Sequence, residues 1–302
     1  MKSQLWLAGI LGLMLAREGS AAPGINLVKE QRVIKVSANG RPLFEYQFAP
    51  ATAFKPYIFQ LYSPGGRAVL RDAVPDHVHH HGLMFALQAD EVTFWEETIK
   101  NNDIGGRQLP RQTDVYGDRI VQQLDWQGTN GAVRLCETRT IQPLADPNAT
   151  LLTWRDRLET PPGTNVVTLS GHHYYGLGAR LLQSMDKTST FINSSGSPAE
   201  IVRRDERLVS ASWVACTGPT ADGRLMTIAI FDYPSNLRYP AKKFTMATPF
   251  AYLSTTLNLW KEPFLLKAGE PLELCYGVAV WDGKIDASQI EQTCRQWQKL
   301  AR

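Results

Sequence analysis

Long hydrophobic runs are scarce in this 302-residue sequence, so a membrane protein with several spanning helices is not expected. The exception is the N-terminus, where Lys2 precedes the apolar run Leu5–Ala16 and small residues follow as far as Ala22. This layout predicts a cleaved secretory signal peptide over residues 1–21, because the run is shorter than the roughly 20 residues that span a bilayer. A retained membrane anchor is the alternative. We expect an exported, soluble mature chain, residues 22–302, in the periplasm or outside the cell.

Cysteine is also scarce, with four residues and no C-x-x-C pair, which argues against a thiolate zinc site. An even number in an oxidising compartment permits disulfides. We expect Cys275 and Cys294 to pair, because Cys275 lies in the last long strand pattern and Cys294 faces inward on the terminal helix pattern. Buried free thiols are the alternative, since a chain of this length can be stable without cross-links.

Neither sign of charge dominates, with 32 basic and 29 acidic side chains and no long basic cluster. That balance argues against a nucleic-acid or anionic-membrane partner. The sequence contains no G-x-S-x-G motif and no glycine-rich phosphate loop. Serine-nucleophile chemistry and nucleotide binding therefore have no support.

The sequence does contain many short strand patterns, separated by Gly, Pro, Asn and Asp. Apolar and polar residues alternate clearly in Val133–Ile141 and Thr150–Leu158. Many short strands with such punctuation favour an antiparallel β-sandwich. One helix is convincing, Ala287–Leu300, with Asp286 as its N-cap and Gln289 as the reciprocal partner. We predict an all-β antiparallel sandwich with one C-terminal α-helix, formed by the mature chain as a single domain.

Histidine distribution is the strongest chemical signal in the chain. All six histidines fall in two short segments, 77–81 and 172–173. Imidazole titrates near neutral pH and serves as acid, base, metal ligand or hydrogen-bond partner, so both segments are candidate site residues. We predict that His80 and His173 share one pocket as catalytic acid and base, with Glu96 as their carboxylate partner.

The first histidine segment cannot point entirely into one pocket if it is a regular strand. Strict alternation places His77, His79 and His81 on one face and His80 on the other. Gly82 permits an unusual backbone that would break this alternation.

Further side chains are candidates for contacting a sugar. Aromatic rings suit the apolar faces of pyranoses, carboxylates suit their hydroxyls, and arginine clamps a polar or anionic group. The predicted substrate-binding residues are His79, His81, Trp95, His172, Tyr175, Arg180, Asp232, Asn236 and Arg238. Structural roles are the alternative, such as a packed Trp at a sheet end or an Arg in a buried ion pair.

Two other functions stay open. His77, His79 and Glu96 supply nitrogen and oxygen ligands suited to a divalent metal, although a His-x-His pair also occurs in tight turns. A non-catalytic sugar-binding module is the second. Apart from that metal, no cofactor is expected.

Short motifs along most of the mature chain carry a family resemblance. They are Lys55–Ile58, Ser63–Gly66, Pro75–His77, His79–Leu83, Phe94–Glu96, Tyr175–Arg180, Phe231–Pro240 and Pro263–Leu272. Together they resemble the signature of a bacterial family of unknown function that is often labelled, misleadingly, methane oxygenase PmoA. His81 departs from that pattern, in which Arg usually follows the His pair. Methane monooxygenase subunits are integral membrane proteins, so their activity is not expected in this chain.

The order of motifs carries a second, more distant resemblance. A His-Gly pair at 81–82 precedes Trp95, a His-Tyr pair at 173–174 follows, and the turn Leu266–Glu270 comes late. This order resembles that of the aldose 1-epimerases (galactose mutarotases), which implies a β-supersandwich with a sugar site on its concave face. It also implies a catalytic Glu shortly before the late turn, yet residues 245–261 contain no acidic side chain. We expect a carbohydrate-active protein of epimerase, lyase or hydrolase type that acts on a small sugar or an oligosaccharide, rather than a plain mutarotase.

Overall fold

The computed structural model describes residues 24–75, 77–98 and 105–301, so the predicted signal peptide lies outside the described residues. The first twelve strands are β1 Ile25–Lys29, β2 Val33–Ala38, β3 Arg41–Gln47, β4 Tyr57–Leu61, β5 Asp72–Val74, β6 His77–His81, β7 Leu83–Ala86, β8 Gln88–Ala89, β9 Val92–Thr93, β10 Arg107–Tyr116, β11 Arg119–Gln127 and β12 Val133–Leu144. The remaining elements are β13 Thr150–Glu159, β14 Val166–Ser170, β15 Gly176–Arg180, a 3₁₀ turn at Gln183–Met185, β16 Thr190–Asn193, β17 Glu200–Arg203, β18 Glu206–Ser210, β19 Trp213–Pro219, β20 Leu225–Asp232, β21 Lys242–Met246, β22 Tyr252–Thr256, β23 Phe264–Lys267, β24 Leu272–Asp282 and α1 Ala287–Leu300.

Two large sheets form the body of the protein. One has ten strands in the order β1-β2-β3-β4-β7-β15-β22-β21-β18-β17, and the other has eight in the order β10-β11-β12-β13-β24-β20-β19-β16. Neighbouring strands in both sheets run antiparallel, for example β15 with β22 and β13 with β24. Smaller sheets join β23-β14-β8-β9 and β5-β6. The predicted all-β antiparallel sandwich is confirmed, and its two large sheets match the supersandwich that the mutarotase resemblance implies.

A continuous apolar core joins the two large sheets. Phe44 and Phe85 contribute to it from the ten-stranded sheet, while Trp126 and Trp154 contribute from the eight-stranded sheet. All four side chains are fully buried. Burial of such large apolar surfaces is the main favourable term that holds the sheets together.

A polar network is enclosed within this core. Arg139 on β12 is buried and donates from Nε to Glu137 at 2.7 Å, with Asp156 Oδ1 at 3.5 Å from the same atom. Its Nη1 donates to the Tyr46 hydroxyl of the opposite sheet at 3.3 Å. The guanidinium also lies 4.8 Å from the Trp154 ring centroid. Burial and the nearby charge of Glu137 raise the pKa of Asp156, so Asp156 holds its proton more tightly than usual and the single cation faces mainly the charge of Glu137.

The C-terminal helix is confirmed with the predicted bounds. The Asp286 side chain accepts a hydrogen bond from the backbone N–H of Gln289. The Gln289 side-chain oxygen in turn accepts one from the backbone N–H of Asp286, so the capping box is complete. Its inward residues Ile290, Cys294 and Trp297 are buried in a second apolar cluster with Trp213 and Phe231 of the eight-stranded sheet. In the part of the chain that the structure describes, no helix combines the length and the apolar character that a membrane crossing requires.

The expected Cys275–Cys294 disulfide is absent, and all four cysteines are free thiols. Cys275 and Cys294 belong to the same apolar cluster under the helix, where burial raises the pKa of each thiol to about 12. They pack there as small apolar side chains, and the large core makes a cross-link unnecessary.

Thiol titration checks this correction. Denatured but unreduced protein is expected to show four reactive thiols, and reductant is expected to leave the melting temperature unchanged. A count of two thiols, or a lower melting temperature after reduction, would contradict the free-thiol state.

Candidate functional site

A pocket opens on the ten-stranded sheet and brings the two histidine-rich segments together. Strands β17, β18, β21 and β22 form one side of it, and β6 forms another. It encloses about 550 Å³ of empty space, including its open mouth. The lining residues are His77, His79, His80, Glu96, Tyr174, Arg203, Glu206, Phe244, Met246, Phe250 and Tyr252.

Strand β6 departs from the strict alternation of a regular strand. His77, His79 and His80 all line the pocket, while His81 is turned away from it. The pairing of β5 with β6 shifts register between Asp72 and Val74, which changes the face that the following residues present. Gly82 follows with a φ of +31°, and a Cβ there would lie 2.2 Å from the Ile58 carbonyl oxygen. The irregular backbone therefore adds His80 to the pocket side.

Two histidines of β6 are held neutral. His79 Nδ1 lies 3.1 Å from Oε2 of Glu96, and burial, with the charge of Lys55, lowers the pKa of His79 to about 4. Arg180 Nη1 donates to His80 Nδ1 at 3.3 Å, and burial and neighbouring positive groups lower the pKa of His80 well below its usual value. Arginine has no acceptor atom, so His80 carries its proton on Nε2. A neutral His80 can therefore donate a hydrogen bond from Nε2 to a ligand.

The lowered pKa of His79 predicts a loss of stability in acid. The unfolded chain binds a proton at this side chain near pH 6.5, whereas the folded chain binds it near pH 4. The contribution of neutral His79 to the free energy of unfolding is therefore complete above pH 6.5. It falls by roughly 3 kcal/mol as the pH drops towards 4. We expect His79→Gln, which keeps a donor for Glu96, to lose less unfolding free energy across that interval in urea titrations. Equal losses in both proteins would contradict the prediction.

His81 was expected to bind substrate, but both of its ring nitrogens are already engaged. Nδ1 donates to Asp72 at 2.8 Å and Nε2 donates to Glu97 at 2.9 Å. Although burial opposes the charge, these two bonds raise the pKa of His81. Burial alone would raise the pKa of Glu97, but His81 and Lys55 bring it down to about 2. His81 therefore lies as a cation between two carboxylates, outside the pocket lining, and its contact with a substrate stays a prediction.

Lys55 fixes the chain on both sides of Glu96. Its Nζ is fully buried and donates to the Trp95 carbonyl oxygen at 3.0 Å and to Glu97 Oε1 at 3.1 Å. Because both neighbours of Glu96 are held by one ammonium group, the Glu96 side chain is directed into the pocket.

The second histidine segment reaches the pocket through a carboxylate that the sequence reasoning missed. His173 Nε2 donates to Glu206 Oε2 at 2.8 Å, and Arg203 donates to the other oxygen at 2.6 Å. These bonds outweigh the effect of burial and lower the pKa of Glu206. His173 thus lies beside the pocket lining, at its outer edge, rather than in it. The two predicted catalytic histidines serve one cavity, His80 directly and His173 through Glu206.

Tyr174 lies between the two pocket carboxylates. Burial, followed by the charges of Glu96 and Glu206, raises the pKa of Tyr174 to about 12. Burial raises the pKa of Glu96 as well. The pocket therefore contains one carboxylate that holds its proton more tightly than usual and one that holds it less tightly.

The remaining predicted ligands lie outside the pocket lining. Trp95 is fully buried and stacks on Tyr175 at 4.8 Å, so both support the wall instead of facing a ligand. His172 stacks on Tyr174 at 5.6 Å. Arg180 is buried behind His80, with its guanidinium 3.5 Å from the Phe250 ring centroid.

Three predicted ligands have structural partners at a distance from the pocket. Asp232 is fully buried, binds Lys243 at 3.2 Å and accepts from Asn236 at 2.7 Å. Asn236 also binds the backbone of Cys275 in both directions. Arg238 donates to the Leu257 carbonyl oxygen at 2.6 Å. In this structure their polar groups hold loops and strands, and their contact with a sugar stays a prediction.

The geometry also bears on the alternative metal site. His77 and His79 have ring centroids 5.8 Å apart, and His79 Nδ1 lies 3.1 Å from Oε2 of Glu96. Across residues 24–75, 77–98 and 105–301, no group of three or more His, Cys, Asp or Glu side chains is arranged to hold a metal ion.

Comparisons with known proteins give a family and several distant structures. The profile of a "Family of unknown function (DUF6807)" matches residues 33–295. No curated protein matches the sequence.

Similar solved structures include the galactosidase domain of an α-galactosidase–sucrose kinase, with 8% identity and a TM-score of 0.49 over 85% of this chain and 42% of that chain. A galactose mutarotase-related enzyme from Lactobacillus acidophilus has 8% identity and a TM-score of 0.41, over 86% and 100% of the two chains. A GH36 α-galactosidase from Geobacillus stearothermophilus has 9% identity and a TM-score of 0.42, over 86% and 41%. The chain thus spans less than half the length of both galactosidase structures.

Proposed function

This chain belongs to the DUF6807 family of unknown function, and we propose that its pocket binds a sugar and exchanges protons with it. The observation that carries the proposal is the carboxylate pair: the pKa of Glu96 is raised and that of Glu206 is lowered. Two carboxylates with pKa values moved apart in one cavity are suited to act as acid and base on one substrate.

The surface of the pocket suits one sugar ring. The interior space that a water-sized molecule can occupy is about 180 Å³, smaller than the roughly 300–1,000 Å³ that is common for sites of drug-sized ligands, so the pocket itself admits a single ring. Phe244 and Phe250 offer apolar faces, and the carboxylates and His80 offer hydrogen bonds to hydroxyl groups. Tyr252 also lines the cavity, through its ring, while its hydroxyl is buried beside Gly178 of β15.

The chemistry follows from the protonation states. Glu206 is the carboxylate that accepts a proton from a sugar hydroxyl, and His173 and Arg203 hold it in place. Glu96 retains its proton at higher pH and donates it to the ring oxygen as the bond between that oxygen and C1 breaks. His79 Nδ1 lies 3.1 Å from Oε2 of Glu96 and flanks that carboxyl group. Loss of the C1 hydroxyl proton to Glu206 and gain of a proton by the ring oxygen together open the ring of a reducing sugar to its carbonyl form.

Thermal shift measurements test the sugar site. The full chain is melted with saturating glucose, galactose, mannose, xylose and their disaccharides. A ligand at a hundred times its Kd is expected to stabilise the fold by about 2.7 kcal/mol. His80→Ala is expected to lose this shift, while Val78→Ala, on the exposed side of the same strand, is expected to keep it. No shift with any sugar, or equal shifts in both variants, would overturn the proposal.

We also propose that the protein acts after export. The support is the sequence pattern over residues 1–21. N-terminal sequencing of protein from the periplasm or medium tests it, with cleavage expected after Ala21. Recovery of the uncleaved chain in the cytoplasm would refute it.

A further inference from the structure

Three rings lie just outside the pocket, His172, His173 and Trp260, and we call them the rim rings. Each is connected to the pocket lining. His172 stacks on Tyr174, and His173 lies 5.1 Å from Tyr174 and 5.6 Å from Phe244, measured between ring centroids. Trp260 continues outward, 5.6 Å from His173. Aromatic surface therefore runs without a break from the pocket wall to the protein surface.

Trp260 is unusual for its exposure. It is 38% exposed, whereas the other six tryptophans among the described residues are buried. A large exposed ring that adjoins a cavity is a feature of ligand surfaces rather than of the core. The apolar face of a sugar ring can stack on the Trp260 ring, as it can on the phenylalanine rings of the pocket.

Cationic donors flank this outer surface. Lys261 Nζ lies 4.9 Å from the Trp260 ring centroid. Arg203, whose side chain is 68% exposed, holds Glu206 in the pocket wall. Both groups can donate to hydroxyl oxygens of a ring that rests outside the pocket.

We infer that the rim rings form an outer subsite for the next ring of an oligosaccharide, with Trp260 as its stacking surface. The inference rests on the proposed function and narrows its substrate class. The pocket holds a terminal sugar between the two carboxylates, and the chain leaves through the mouth across His173 and onto Trp260. The substrate is therefore an oligosaccharide or polysaccharide end, rather than a free monosaccharide.

Calorimetric titration of the full chain tests the subsite. The probes are glucose, galactose, mannose and xylose, each compared with its own di- and trisaccharide. Wild type is expected to bind one trisaccharide about tenfold more tightly than the matching monosaccharide. Trp260→Ala is expected to remove this difference and to change monosaccharide affinity less than about twofold. Tyr116→Ala, which removes an aromatic ring of 51% exposure from β10 in the other sheet, is the matched control and is expected to behave as wild type.

The outcomes separate the two proposals. Monosaccharide binding without any gain for longer sugars would overturn the outer subsite and leave the sugar pocket standing. An equal loss of both affinities in Trp260→Ala would also overturn it, because Trp260 would then belong to the pocket itself. Failure of every probe to bind wild type would overturn the proposed function and the subsite with it.

Discussion

Glu206→Gln is expected to reduce conversion of the bound sugar by roughly 10²–10⁴-fold, the usual contribution of one general acid or base. The amide oxygen of Gln still accepts from Arg203, and its NH2 group takes the place of the second oxygen and can donate to Nε2 of His173 in its other tautomer, so the wall of the pocket is retained. Only the ability to take a proton is removed. Conversion is followed by proton NMR with the sugar that gives the largest thermal shift, and the affinity for that sugar is expected to change far less than the rate.

Glu262→Gln is the matched control for this experiment. Glu262 is the acidic residue that directly precedes the late turn Leu266–Glu270 in the sequence. Its side chain is 64% exposed and lies 3.5 Å from Arg238, outside the pocket lining. We expect its replacement to leave the rate unchanged. Loss of activity in Glu262→Gln with a normal rate in Glu206→Gln would show that the sequence-order argument was right and the pocket assignment wrong.

The pH profile gives an independent check of the same pair. As the pH increases, the rate is expected to rise when Glu206 loses its proton, at a pH below the ordinary pKa of a glutamate. It is expected to fall when Glu96 loses its proton, at a pH above that ordinary pKa. A bell-shaped profile results. Glu96→Gln is expected to abolish the alkaline limb together with most of the rate.

Arg139→Met is expected to cost about 3–5 kcal/mol of unfolding free energy, a large loss for a single substitution. The replacement leaves Glu137 and Asp156 without their shared cation inside the core. It also removes the bond to Tyr46 that links the two sheets. The free energy of unfolding is measured by urea titration with circular dichroism.

Arg157→Met is the comparison for that loss. Arg157 lies on β13, pairs with Glu159 and Glu273, and is largely exposed. Exposed ion pairs contribute at most about 1 kcal/mol, so a small change is expected. If the two variants lost equal stability, the buried network would not be the feature that joins the sheets.

Local signals in the sequence predicted much of the fold. The helix follows from Asp286 and Gln289, which cap it as expected. Strand β12 follows from its alternation, which continues for three residues beyond the predicted end. Strand β10 was not predicted, because Pro110 interrupts a polar run there. The pairing of β10 with β11 also shifts register beside that proline. Strand β15 is rich in glycine because the Tyr252 hydroxyl and the Thr255 carbonyl oxygen approach its backbone closely, which no local pattern reveals.

The candidate site was predictable only where composition marked it. The two histidine segments were visible as clusters, and the structure brings both to one cavity. Glu206 was not visible, because the charged stretch 203–207 is typical of an exposed turn. Its one signal is that Glu206 and Leu208 share the buried face of β18. The partners of Asp232 and Arg238 could not be predicted, because they are set by tertiary contacts that a motif does not contain.

The engagement of His81 between Asp72 and Glu97 has a consequence for how the protein tolerates alkali. An arginine at this position would be a permanent cation, whereas His81 supplies a positive charge only while it is protonated. Since its pKa is raised on folding, the stabilisation is complete below pH 6.5 and is lost as the pH rises through the folded value. The contact that joins Asp72 and Glu97 through His81 therefore weakens under alkaline conditions.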